Sequence, residues 1–358
     1  MKVLFISYFF DPYPGVGAKR TTYWANNMHQ HGIEAHVVTA TEQDEVSEKI
    51  TYLPPSNSGG LLRKLIKDQG LNWKSSLRRY FADLEHFDYD VVLFSGGPFM
   101  HFGVGSFLKK HFKCKVVLDY RDPFSYNPRH GDKWLKKTVK GYFENQFNKM
   151  ADAVTTVNDI CKAQMTHTSK IYVIPNGFDD EILKQEDLLP VPVIHGQILN
   201  GGKLYSDFNM QPLLKVVATN ENLSFRQVGQ EYQEVDKMNN SRISSQGFIA
   251  YNELLEGINR SEICTVLTGG KSFETPTKTY DYIALNKKIL VISESEKREG
   301  GIQSILQDYP NAEWATNSEQ AILEAIAKLQ DSEIKLIDNH PYSRAAGLEK
   351  LVALLKSL

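Results

Sequence analysis

Residues 268–293 read TGGKSFETPTKTYDYIALNKKILVIS, and this stretch decides the fold. A glycine turn leads into a helix start, and the helix leads into an apolar run that reads as a buried strand. Thr275 suits the N-cap, Pro276 suits the first helical position, and Lys278 then falls in the first turn. Free backbone N–H groups, the positive end of the helix dipole and an ammonium all favour an anion at such a place. Asp281 stands on the same helix, Asn286 can end it, and residues 289–292 form the next strand. With a phosphate at the helix mouth, Asp281 is placed to accept hydrogen bonds from an attached ribose. The segment therefore reads as a site for a nucleoside diphosphate. A threonine cap followed by proline also starts many ordinary helices, which is the structural alternative.

The same strand–helix alternation extends over the whole chain and predicts doubly wound α/β architecture. Strands are expected at 3–7, 35–39, 91–95, 116–119, 153–157 and 171–174, and again at 193–199, 224–228, 242–243, 263–267, 289–292 and 313–315. Between the two series, residues 177–192 carry acids, Pro190 and Pro192 and read as a linker. A chain of 358 residues is long enough for two domains, each with its own core. Ligands of such sheets bind at the carboxyl ends of the strands.

Net charge is only −2, but it is unevenly spread. Residues 49–150 hold 18 Lys and Arg against 9 Asp and Glu, an excess of +9, whereas the residues after Pro190 hold 17 against 21, or −4. A basic first half and an acidic second half suggest that the first domain meets an anionic surface or acceptor. Cys114, Cys161 and Cys264 are far apart and odd in number, with no metal-ligand spacing, so a reducing cytosol is favoured. The opening MKVLFISYFF resembles a short signal peptide, but Asp11-Pro12 follows at once, and it reads better as a buried strand. No apolar run approaches the ~20 residues of a membrane span.

Several further motifs carry chemistry. The first βα loop, FFDPYPGVGAKR (9–20), has Gly15 and Gly17 but Arg20 where a third glycine would complete a dinucleotide fingerprint. The second strand ends in Thr39-Ala40-Thr41 and lacks the acid that would hold a nicotinamide ribose, so NAD is disfavoured. The third and fourth strands end in SGGPFMHFGVG (95–105) and LDYRDPF (118–124), placing His101, Arg121 and Asp122 at neighbouring carboxyl ends. Their structural alternatives are a helix cap for His101 and an internal ion pair for Arg121 and Asp122. After the strand at 193–199 comes NGGKLYSDF (200–208), with Gly202 and Lys203.

The pattern Pro276-x-Lys278-x-x-Asp281-Tyr282-x-Ala284 resembles the donor-site signature of the family 4 (group 1) retaining glycosyltransferases of GT-B fold. The loops above and the run KIYVIPNGFDD (170–180) are similar to parts of that family too. The resemblance implies an α/β GT-B fold, two Rossmann-like domains facing each other across a cleft. It assigns an acceptor-binding domain to 1–190, a nucleotide-sugar donor domain to 191–340, and a helix packing back on the first domain to 341–358. It implies that Thr275, Pro276, Thr277 and Lys278 bind the donor diphosphate together with Gly202 and Lys203. Asp281 would take the ribose, and Glu274 the transferred sugar. Gly17 would approach the donor phosphates closely, with Arg20 and Lys19 neutralising charge. His101 would touch the sugar or acceptor, with Arg121 and Asp122 orienting the loop. The implied reaction moves a sugar from a UDP- or GDP-sugar to a hydroxyl acceptor with retention, without metal or other cofactor. Surface polysaccharide or glycolipid synthesis is the expected setting. The expected partners are the nucleotide-sugar donor and a saccharide or lipid-linked saccharide acceptor. The expected location is the cytoplasm, with peripheral contact at the anionic inner face of the membrane.

Other features point elsewhere. Asp88-Tyr89-Asp90 matches a metal-holding D-x-D, but it precedes a strand and so lies at the amino end, away from any ligand crevice. The stretch LLRKLIKDQGLNWKSSLRRYFADL (61–84) has apolar residues at helical spacing with cations between, and Gly70 interrupts it. It reads as a solvated helix face, with an interfacial helix on anionic lipid as the alternative. Neither an RNA-binding sheet motif nor a zinc module is apparent, which argues against nucleic acid. Two rival functions stand: a sugar-nucleotide epimerase of the same fold, and a non-catalytic sugar-nucleotide-binding scaffold.

Overall fold

The computed structural model describes the chain apart from residues 14, 46, 57–60, 128–130, 185–190, 203–207, 269–274, 295–297 and 299. The chain divides into two compact units, 1–176 with 344–358, and 177–343. The first holds a parallel seven-stranded sheet of β1 (Lys2–Ser7), β2 (Glu34–Thr39), β3 (Ile50–Tyr52), β4 (Val91–Ser95), β5 (Lys115–Tyr120), β6 (Ala153–Thr156) and β7 (Ile171–Val173), in the order β3-β2-β1-β4-β5-β6-β7. The second holds six parallel strands, β8 (Ile194–Gly201), β9 (Ser224–Val228), β10 (Ile243–Gln246), β11 (Ser261–Thr268), β12 (Lys288–Ser293) and β13 (Ala312–Thr316), in the order β10-β9-β8-β11-β12-β13.

Both orders reverse beside the first strand of the unit, β1 with β4 and β8 with β11. Such a switch point is where loops leave the sheet in opposite directions and open a crevice at the carboxyl ends. Strands covered by helices on both faces read as unbroken apolar runs, which is why VVLFS in β4 and KILVIS in β12 are buried at every position. The expectation of one strand per apolar run holds for twelve strands. The thirteenth, β3, is a three-residue edge strand pairing only with β2, too short to carry a pattern.

The helix Arg344–Lys356 lies within the first unit. Its Leu348, Leu351, Val352 and Leu355 join Trp24 and Met28 in one buried cluster with Val3, Phe5 and Leu93 of the sheet. The second unit begins earlier than a 177–192 linker would place it. Phe178 has no exposed surface, and its N–H donates to the Tyr342 carbonyl at 3.1 Å. In the 61–84 stretch, two helices, Leu61–Ile66 and Gly70–Ala82, are separated at Lys67, whose φ is 53°. Trp73, Leu77 and Phe81, spaced four apart, are all buried, so this apolar stripe faces the core, while Arg78 and Arg79 are exposed and Lys74 is half-buried.

Candidate functional site

The carboxyl ends of β8 and β9 and the helix Lys278–Ala284 meet in a polar cluster in the second unit. β8 ends in Asn200-Gly201 and turns at Gly202, whose φ of 95° belongs to glycine. Gly229, with φ 104°, ends β9 against it so closely that a Cβ there would sit 3.0 Å from the Gly202 Cα. Under these turns Asn200 Nδ2 donates to Gln227 Oε1 at 2.6 Å, and Gln227 Nε2 donates to the Gly202 carbonyl at 2.8 Å. Both side chains are fully buried. The Tyr282 hydroxyl accepts the Gly201 N–H at 2.9 Å, tying the turn to the helix Lys278–Ala284.

Lys278 opens that helix, and its Nζ donates to Asn200 Oδ1. Desolvation lowers its pKa to about 7, and among the described residues no carboxylate pairs with it. An ammonium held by one amide oxygen in a desolvated setting is a cation that an incoming anion would complete. On the next turn Asp281 Oδ1 accepts from the Tyr251 hydroxyl at 3.0 Å, which fixes the carboxylate on the helix. The helix ends as its sequence suggests. Asn286 is left-handed at φ 48°, its N–H bonds the Ile283 carbonyl and the Lys287 N–H bonds that of Tyr282, a Schellman closure.

The start of the helix differs from the sequence reading. Thr277 and not Thr275 holds the N-cap position, with no side-chain cap bond, and Pro276 precedes the helix. The reason lies in the first turn, where the Thr279 N–H bonds the Pro276 carbonyl and that of Tyr280 bonds Thr277, both i→i−3. Lys278 remains in the first turn. Thr275 and Pro276 are half-buried beside it, and Thr277 is exposed. Glu274 and Lys203 lie outside the described residues.

In the first unit the carboxyl ends of β1, β4 and β5 carry a closed network. The Arg20 guanidinium pairs with Asp119 Oδ1 at 3.1 Å, donates to the Pro175 carbonyl at 2.8 Å, and lies 4.0 Å from the centre of the Trp24 ring. Thr155 donates to the same Asp119 oxygen at 2.7 Å, and Ser95 donates to Oδ2 at 3.3 Å. With Arg20 5% and Asp119 0% exposed, the expected role of Arg20 as a cation facing a ligand is not what this arrangement shows: it braces the unit from within. Arg121 Nε donates to the Gly96 carbonyl at 2.7 Å, and burial pushes its pKa down. A Cβ on Gly17 would lie 3.4 Å from Arg121 Nη1, so the glycine lets the helix Val16–Asn27 start against this guanidinium. Asp122 is exposed beside it.

His101 has no exposed surface. Its ring packs against Trp73 at 5.0 Å and Phe102 at 5.1 Å between centroids. Desolvation lowers its pKa to about 3, so it is neutral and supports the 96–105 turn from beneath, where contact with a sugar was expected. The turn has a second support that sequence reading missed. The Asp68 carboxylate accepts N–H bonds from Gly70, Phe99 and Met100 at 2.9 to 3.1 Å. Asp88 and Asp90 both bind Lys2, at 2.7 Å each, at the amino ends of β1 and β4. Among the described residues no cluster of three or more His, Cys, Asp or Glu is placed to hold a metal ion, and no helix is long and apolar enough to cross a membrane.

Residues 17–182 match the sequence model of Glycosyltransferase Family 4, so the resemblance read from the donor-site pattern is met independently in the other half of the chain. No curated protein matches by sequence. Among solved structures, sucrose-phosphate synthase from Thermosynechococcus elongatus is similar with a TM-score of 0.73 at 14% identity, covering 100% of this chain and 98% of that one. Anabaena HepE in complex with UDP and glucose is similar with 0.67 at 13%, covering all of both chains. The UDP-GlcNAc 2-epimerase from Methanocaldococcus jannaschii is similar with 0.64 at 10%, again covering all of both. The fold is GT-B, two Rossmann-like domains of parallel strands.

Proposed function

We propose that this chain is a retaining hexosyltransferase that moves a sugar from a UDP- or GDP-sugar to a hydroxyl acceptor, without metal, in surface polysaccharide or glycolipid assembly. One observation carries the reading: Lys278 is a desolvated cation bonded to an amide, beside two glycine turns at the carboxyl ends of β8 and β9. A sugar nucleotide's diphosphate would supply the counter-charge that no carboxylate among the described residues gives Lys278. Lys278, the backbone at 275–277 and the Gly202–Lys203 turn hold the diphosphate, and Asp281, oriented by Tyr251, accepts from the ribose. In the first unit the Gly17 loop, braced by Arg121, leaves backbone room for a ligand at the carboxyl ends of the strands.

Catalysis then rests on stabilising the departing diphosphate electrostatically. As the bond from the anomeric carbon to phosphate breaks, the leaving phosphate oxygen takes the acceptor hydroxyl's proton, and the acceptor oxygen bonds the same face of the sugar. The full-length likeness to a UDP-GlcNAc 2-epimerase favours a second reading, an epimerase on the same scaffold. A melting screen with UDP, GDP and TDP and their sugars identifies the donor, because a tight ligand of the native state raises Tm. The selected donor is then incubated with and without saccharide acceptors. Acceptor-dependent release of the nucleoside diphosphate supports transfer, and epimer formed without acceptor overturns it. A melt unmoved by every nucleotide removes both readings.

A further inference from the structure

We propose that the outward face of the helix Trp134–Met150 is a docking surface for an anionic phospholipid bilayer. This goes beyond the donor chemistry and needs none of it, although a lipid-linked acceptor would give the surface its use. The helix presents large apolar side chains to solvent: Trp134 is 76% exposed, Tyr142 61% and Leu135 50%. Trp134 and Tyr142 are eight residues apart, and Leu135 is seven before Tyr142, so all three share one side of a 3.6-residue helix. Lys133, Lys137 and Lys149 are exposed around them.

The distribution of acids settles the sign of the partner. Residues 131–150 contain two carboxylates, Asp132 and Glu144. Asp132 is turned inward between Lys136 and Lys140, its side chain 4% exposed. Glu144 is 3% exposed and accepts the Ser125 N–H at 3.1 Å. The outward face therefore combines aromatic and aliphatic side chains with cations and carries no exposed carboxylate. An aromatic ring with a polar edge suits the depth of lipid head groups, and lysines beside it are attracted to anionic ones. An amphipathic helix that merely covers a core puts its apolar residues inward. This one does so with Phe147, and has a second apolar set outside.

The test is co-sedimentation of the full chain with phosphatidylcholine vesicles containing about 30% phosphatidylglycerol, at low salt. The wild type is expected in the pellet, and W134S/L135S/Y142S should partition about tenfold more weakly. The charge variant K133Q/K137Q/K149Q should lose the preference for anionic over pure phosphatidylcholine vesicles. In vesicles carrying brominated lipid, wild-type tryptophan emission should be quenched more than that of W134F, since Trp24 and Trp73 are buried and the half-buried Trp314 packs on the second unit's core. A wild type that stays in the supernatant, or a triple variant that pellets equally, overturns the proposal. So does a concentration-dependent dimer in gel filtration that the triple variant abolishes, which would make the face a contact between copies. A nucleotide-induced Tm shift retained by the triple variant keeps the donor reading intact whatever the vesicles show.

Discussion

Replacing Lys278 with methionine should weaken the binding of a sugar nucleotide and remove the pH dependence of that binding. With its pKa near 7, the Lys278 amine is about half protonated at pH 7 in the free protein. A diphosphate beside it would return the pKa towards its ordinary ~10.4, so binding takes up protons. Uptake should be about 0.5 proton at pH 7 and about 0.9 at pH 8, and affinity should fall about 50-fold, some 2.3 kcal/mol, between pH 7 and pH 9. A UDP-sugar is the right ligand, because its diphosphate does not titrate in this range. Titration calorimetry in two buffers of different ionisation enthalpy reads the uptake directly. In Lys278→Met the loss of a charge-assisted contact should weaken binding by about 1.5–3 kcal/mol at pH 7, with no proton uptake remaining. Stability moves the other way. A lysine whose folded pKa lies below its unfolded value leaves the native state with fewer protons between pH 7 and ~10, so its penalty is full below 7 and relieved as pH rises. The difference in stability between variant and wild type should shrink over that window. Equal affinity and equal proton uptake in the two proteins would refute the reasoning.

The remaining predictions concern the frame around that cation. Asn200→Asp would give Lys278 a carboxylate, raise its pKa and repel a diphosphate, so sugar-nucleotide binding should fall at least as far as in Lys278→Met while the fold persists, checked by calorimetry and circular dichroism. Asp119→Ala leaves Arg20 buried without its counter-charge and strips acceptors from Thr155 and Ser95, which should cost about 3–5 kcal/mol in urea unfolding. Asn286→Val places a β-branched residue at φ 48° and should cost about 1–2 kcal/mol, whereas Asn286→Gly should be nearly neutral, both read from thermal melts.

What the sequence made legible is what repeats along it. Buried parallel strands announce themselves as apolar runs, and β9 and β4 fall within the expected limits residue for residue. The helix around Asp281 was found because its cation, its acid and its left-handed asparagine each leave a local mark. Its first residue was misplaced because a proline and two threonines offer several equivalent starts, and only the i→i−3 bonding of the first turn chooses among them. Residues that act through distant partners left no mark. Gln227 is an ordinary strand residue until Asn200 and Gly202 are brought to it. Asp68 looks like a polar break between two helices, yet it caps a turn about thirty residues away. Exposure hid the rest: nothing in RDPF or MHF tells that the half-buried Arg121 turns back to the Gly96 carbonyl, or that His101 is walled in by aromatic rings.

The two units share a strand order and place glycine turns at the carboxyl ends, yet they treat a desolvated cation in opposite ways. In the first, Arg20 meets Asp119, the charges cancel inside the unit, and threonine, serine and a backbone carbonyl add hydrogen bonds to the pair. A guanidinium paired in this way has its charge balanced inside the unit, and breaking the pair would leave a carboxylate stranded. In the second, Lys278 meets the neutral Asn200 Oδ1, which accepts a proton's hydrogen bond but leaves the charge standing. Asn200 is itself committed to Gln227, so it cannot turn to offer more. The replacement of a carboxylate by an amide at the partner position thus separates a cation that holds a fold together from the one assigned to the diphosphate in the proposed reading. The proposed diphosphate site therefore falls in the unit where that replacement occurs.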